Sequence, residues 1–199
     1  MARPATIENP ELLKKLSDVF RAVGYEGASL ATLATAAGLQ KASLYHRFPG
    51  GKEQMAGEVM GAAEKWLTEQ ILVPLKSSGP ARARIHVMVR NLDEFYSGGR
   101  QACLLNMLSS PHGQTGPFAR PIKKAFKAWV EALATVVSDA GFDETTAYSR
   151  AQRAIALFQG SLVLARGMGT TQPFQTCLAN LEGELLAPTT DSTRSRRRG

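Results

Sequence analysis

The stretch AAGLQKASLYHRFPGGKE, Ala36 to Glu53, crowds hydrogen-bonding and cationic side chains together just after a glycine. Lys41, Ser43, Tyr45, His46, Arg47 and Lys52 all follow closely on Gly38. A helix destined for a core would not carry them. A surface meant for a flat, polar, negatively charged partner would. Lys and Arg meet phosphates or guanine edges, Ser bonds to either base type, and Tyr contacts phosphate or a thymine methyl. Elsewhere, residue types able to do chemistry are scattered. No HExxH, CxxC or paired-carboxylate spacing occurs, and His86 and His112 stand apart from other ligand types. Catalysis, a metal and a cofactor are therefore not expected.

The elements that position these residues read as helices throughout, because β-branched alternation and a strand-helix-strand rhythm are absent. Asn9 as a cap and Pro10 as the first helical residue announce a helix. Its apolar face is Leu12, Leu16, Val19, Phe20 and Val23, and Gly24 stops it. Ser29 caps a second helix, Leu30 to Ala37, and Gly38 ends it, since a left-handed backbone costs glycine nothing. A third helix covers Gln40 to Arg47, with Leu39, Leu44 and Phe48 turned inward. Helix, glycine turn, helix is the layout of a helix-turn-helix unit, whose second helix leads with its N-terminus into the major groove. Gln40, Lys41, Ala42, Ser43, Tyr45 and His46 then face the duplex. Ser29 and Thr32 become backbone-positioning contacts. Lys52 starts a fourth helix, where backbone N–H groups and the dipole favour a phosphate. Exposed polar residues on a small bundle give the same pattern.

The residues taken together separate these readings. Gly24 to Glu53, GYEGASLATLATAAGLQKASLYHRFPGGKE, resembles the N-terminal DNA-binding segment of the TetR/AcrR family of transcriptional repressors. YHRFPGGKE, with its double glycine, looks most like the LmrA/YxaF-type members. Two departures stand out. Gln40 occupies a position where the family often has a capping Ser, and Ala31 and Thr32 replace a charged or polar pair. The resemblance implies an all-α protein: a helix-turn-helix domain over 1–50 and a ligand-binding, dimerising bundle over 51–188, about nine helices in all. A basic, disordered tail over 189–199 would follow. It also implies a homodimer on a pseudo-palindromic double-stranded DNA operator, with half-sites roughly 34–36 Å or more apart.

The fourth helix is expected to run from Lys52 to about Leu72, with Pro74 and KSSGPA as the main joint. Helices should follow over about Ala81–Ser97, Cys103–Ser109, Phe118–Ala140, Glu144–Met168 and Pro173–Ala187. Gly57 and Gly61, one turn apart, are expected to permit close helix approach. Ala151, Ile155, Phe158, Leu162 and Ala165, with Phe174, Leu178, Leu181 and Leu185, form two narrow stripes. These pack either within one subunit or, as the family implies, across a four-helix seam between two. Aromatic and flexible residues gather in the other helices: Met88, Leu92, Phe95, Tyr96, Leu104, Met107, Phe126, Trp129, Phe158 and Leu162. They are read as lining a pocket for a small hydrophobic effector, with Asn106 and Tyr96 orienting it. A plain core uses the same residue types.

The chain has 199 residues, 44% of them hydrophobic, enough for a core. Its net charge is +7, but Arg194, Arg196, Arg197 and Arg198 supply four of these, leaving +3 elsewhere. The location of charge therefore matters more than the total. Two cysteines, Cys103 and Cys177, suit a reducing cytoplasm rather than a disulfide scaffold. No apolar run suits a bilayer, and the N-terminus does not resemble a signal peptide, so no membrane partner is expected. Two alternatives stay open. Cys103, beside Arg100 at a helix start, would serve a thiol-based electrophile or oxidant sensor. A helical binding protein or enzyme without specific DNA binding is the other.

Overall fold

A computed structural model of the chain describes residues 9–109 and 115–188. His112 and the arginine-rich tail lie outside the described residues. The rest forms nine helices and no strand.

Helix α1 spans Asn9–Gly27 with Pro10 in its first turn. Leu12, Leu16 and Phe20, four residues apart, are fully buried. Gly24 breaks it as expected, with φ 74° and ψ 176°, and one further turn follows. Helix α2, Leu30–Ala37, is delimited by its caps. Ser29 Oγ accepts from the Thr32 N–H at 3.0 Å, and Gly38 sits at φ 66° with its N–H on the Ala34 and Thr35 carbonyls. Helix α3 is Lys41–Arg47; Gln40 precedes it without a side-chain capping bond.

Helix α4 starts at Gly51–Leu67, widens through a π-helical turn at Thr68–Leu72 and continues as Val73–Lys76. The expected end at Leu72 is corrected, because proline did not stop the rod. In the widened turn the Val73 N–H reaches back to the Thr68 carbonyl. The Gln70 carbonyl, which Pro74 has no N–H to serve, accepts from Asn91 Nδ2 at 2.8 Å instead. The rod ends on Arg84, a buried guanidinium that donates to the Leu75 carbonyl at 3.1 Å and pairs with Asp139 at 2.8 Å.

The remaining helices are α5 (Ala81–Phe95), α6 (Leu104–Met107), α7 (Ala119–Asp139), α8 (Glu144–Met168) and α9 (Gln172–Leu186). Helix α8 packs between α7 and α9, and α5 meets the end of the α4 rod, α7 and α9. Met55, Val59, Met60, Leu67, Ile71 and Leu75 along α4 carry one continuous apolar core from α1 to α9. Gly57 and Gly61 correct another expectation. No atom of another element lies within 4 Å of where either Cβ would stand, so neither permits a close approach.

Candidate DNA-binding face and effector cavity

Leu44 and Phe48 are buried and fix which way α3 points. At about 100° per residue, Ala42 and His46 then lie on the opposite side, flanked by Ser43, Lys41 and Tyr45. All five are exposed, Tyr45 at 47% despite its ring. No acidic residue occurs from Leu30 to Phe48, so the face is cationic without internal neutralisation. Gln40 and Thr32 are exposed beside it. The Ser29 hydroxyl is engaged in capping α2 and lies 2.8 Å from Thr32 Oγ1. Gly51, at φ 65°, turns the chain from α3 into α4, its N–H on the Phe48 carbonyl.

Lys52 is placed differently from the sequence expectation. Its ammonium donates to the Tyr25 carbonyl at 2.9 Å and lies 4.4 Å over the Tyr25 ring. It fastens the start of α4 to the end of α1. Burial, with Glu53 and Glu26 nearby, holds the Tyr25 phenol above its ordinary pKa.

The expected pocket residues divide. Leu92, Phe95, Tyr96, Leu104 and Trp129 line a small cavity of about 20 Å³, room for roughly one water. Met88, Phe158 and Leu162 are buried in the surrounding core and do not line it. Phe126 and Met107 are half-buried; Met107 packs instead against Gly24, whose Cβ position is 3.4 Å from its carbonyl oxygen. Asn106 is exposed and orients nothing in the cavity. Tyr96 points its hydroxyl at Cys103 Sγ, 3.5 Å away, and its ring stands edge-on to Phe95 and Phe158. Phe158 thus builds core where the sequence suggested lining.

Sequence reasoning missed the walls from α1 and α4: Arg21, Ala63, Trp66 and Leu67. The spacing of Met60, Ala63 and Leu67 was the available signal for α4. For Arg21 there was none, since an arginine on a helix flank reads as solvated.

The profile described as "Transcriptional regulator LmrA/YxaF-like, C-terminal domain" matches residues 81–180, and that of "Bacterial regulatory proteins, tetR family" matches 12–59. The chain belongs to the TetR family of transcriptional regulators. It is similar to the HTH-type transcriptional regulator LmrA of Bacillus subtilis (strain 168), 22% identical over 182 residues, 86% of this chain and 94% of that one. Among solved structures, a TetR regulator from Legionella pneumophila shares the fold with a TM-score of 0.76 at 22% identity, over 92% of this chain and 100% of that one. The TetR-family regulator CifR, as a cysteine mutant with 26-base-pair double-stranded operator DNA, shares it at 0.70 and 21% identity, over 93% and 99%. TetR-family regulators are transcription factors, not enzymes.

In this TetR-family chain the two apolar stripes pack inside the subunit. Ala151, Ile155, Phe158, Leu162 and Ala165 are buried, as are Phe174, Leu178, Leu181 and Leu185. The seam residues named from sequence are thereby corrected by one helix face. Leu157, Leu164 and Met168 of α8 are exposed instead, Leu164 at 56% and Met168 at 66%. With Gly160, Thr176 and Asn180 they line an open groove of about 680 Å³ between α8 and α9. Cys103 is buried at the start of α6, where its sulfur accepts a hydrogen bond from the Tyr96 hydroxyl, while Arg100 donates to the Ser97 carbonyl at 2.9 Å. No helix among the described residues is long and apolar enough to cross a membrane, and no group of three His, Cys, Asp or Glu side chains among them is placed to hold a metal.

Proposed function

We propose that the chain is a one-component repressor that binds a pseudo-palindromic operator as a homodimer and is released by a small hydrophobic effector. The observation carrying this reading is the outward row on α3. Lys41, Ala42, Ser43, Tyr45 and His46 are exposed together on a helix fixed by Leu44, Phe48 and the Gly38 turn. That geometry offers a major groove donors, a cation and an aromatic edge at once. Residues 1–50 form the reading head, with Thr32, Ser29 and Gln40 at its flank. Residues 51–188 bind the effector and pair the subunits in the cytoplasm. The operator complex of CifR supports the DNA partner. The exposed apolar row on α8 supports pairing, because an open apolar groove of this kind is stable once a second copy covers it.

Release follows from the connection between the halves. Helix α1 touches α6, and α4 runs unbroken from the α3 turn into the bundle. An effector that binds one arrangement of α4 and α6 better than another shifts the separation of the two α3 helices by that difference in affinity. Fluorescence anisotropy with the upstream region of the protein's own gene tests the reading. Wild type should prefer it over scrambled duplex by at least about a thousandfold. Tyr45→Ala should lose most of that preference. Equal affinity for both duplexes would refute it.

A further inference from the structure

Arg21 is 7% exposed, yet no carboxylate among the described residues pairs with it. Its guanidinium contacts the Ala102 carbonyl and donates to Ser17 Oγ at 3.3 Å. It lies 4.8 Å from the Phe95 ring centre and 5.6 Å from that of Tyr96. A buried cation normally has an anion beside it. Trp129, across the same small cavity, has its indole Nε1 buried with no hydrogen-bond partner. The cavity thus holds two buried donors in a wall of aromatic rings, and Glu64, its acidic lining residue, pairs with neither.

The cavity is too small for an organic molecule, but it has a neighbour. A groove of about 590 Å³ between α1, α4 and α5 shares Arg21, Ala63, Trp66 and Phe95 with it. Trp66 and Phe95 stack at 3.6 Å and 18°, forming the partition between the two spaces. Asp18 in the groove is paired with Lys14 at 3.4 Å, and Glu64 and Glu94 form no pair with Arg21.

We infer that the effector is an aromatic carboxylate that seats in the α1–α4–α5 groove, with its acid group on Arg21 and its ring against Trp66 and Phe95. This rests on the reading of the chain as an effector-responsive regulator and names the chemical class of that effector. The carboxylate takes the guanidinium that now holds the Ala102 carbonyl, one of the ties between α1 and the segment leading into α6. Recognition and release of the reading head are then the same event. An acid seated here accepts a charge-assisted, bidentate pair of N–H bonds, where a neutral amide offers a single acceptor oxygen. The aromatic walls supply affinity for its body.

Calorimetric titration of the full chain with naphthoate and with its neutral isostere naphthamide tests this without DNA. Naphthoate should bind at least tenfold more tightly than naphthamide. Arg21→Gln should weaken naphthoate by roughly tenfold to a hundredfold while leaving naphthamide little changed. Naphthamide binding as tightly as naphthoate, naphthoate failing to bind, or Arg21→Gln retaining full naphthoate affinity would overturn it. Should circular dichroism show Arg21→Gln unfolded, the acid-to-amide ratio on wild type decides. Wild type that prefers its own upstream DNA yet ignores naphthoate sinks the inference and leaves the regulator reading standing. Wild type that binds naphthoate selectively but shows no DNA preference does the reverse.

Discussion

Lys41 opens α3 with its side chain exposed and no ion pair among the described residues, so its charge is available to a partner. If it sits on a phosphate, Lys41→Ala should weaken DNA binding about equally across sequences. It should also flatten the slope of log affinity against log salt by about 0.9, read from titrations at several salt concentrations. Asp143 makes a different residue-scale prediction. Its carboxyl accepts from the Thr146 N–H at 2.9 Å as the cap of α8, and these bonds hold it below the ordinary carboxylate range. A lowered folded-state pKa contributes stability above the unfolded value, and that contribution disappears as pH falls through the folded one. The Tm gap between wild type and Asp143→Asn, measured by thermal melts across pH, should be full above about pH 4 and shrink below it. The α3 row was legible from residue types alone, since Leu44 and Phe48 fix the outward side by spacing. Arg21 and Lys52 were not. Each is a cation on a helix flank, and only the carbonyls of Ala102 and Tyr25, brought in from elsewhere, reveal what it holds.

Glycines separate at the element scale into those a helix merely tolerates and those that packing demands. Gly57 is inside α4 with open space where its Cβ would be. Gly57→Ala should therefore raise stability in urea by roughly 0.5–1 kcal/mol. Gly99 follows α5 at φ 95°, and its Cβ would stand 2.7 Å from Phe174 Cβ. Gly99→Ala should cost more than about 2 kcal/mol by the same measurement, through backbone strain and overlap together. Helix ends carrying caps were readable: Ser29, Gly38 and Asp143 act locally, within one turn. The passage of α4 through Pro74 was not, because the partner for the orphaned Gln70 carbonyl is Asn91, far along the chain. The same limit applies to the stripes on α8 and α9. A four-three spacing shows that a face is buried but not whether the covering helix belongs to the same chain.

Among the described residues one apolar core runs from α1 to α9. The proposed pairing runs through the exposed apolar row of α8, Leu157, Leu164 and Met168. Leu164→Arg sets a charge in the middle of that row. Sedimentation velocity should show wild type as a dimer and the variant as a folded monomer, with operator affinity reduced by at least about tenfold. Hydroxyl-radical footprinting on the protein's own upstream DNA tests the central claim most directly, since it reports both contact and spacing. Two protected patches, centred about one helical turn of DNA apart or a multiple of it, are predicted, and both should vanish in Tyr45→Ala. Uniform protection, or patches that survive the loss of Tyr45 and Lys41 together, would contradict an α3 that reads the major groove.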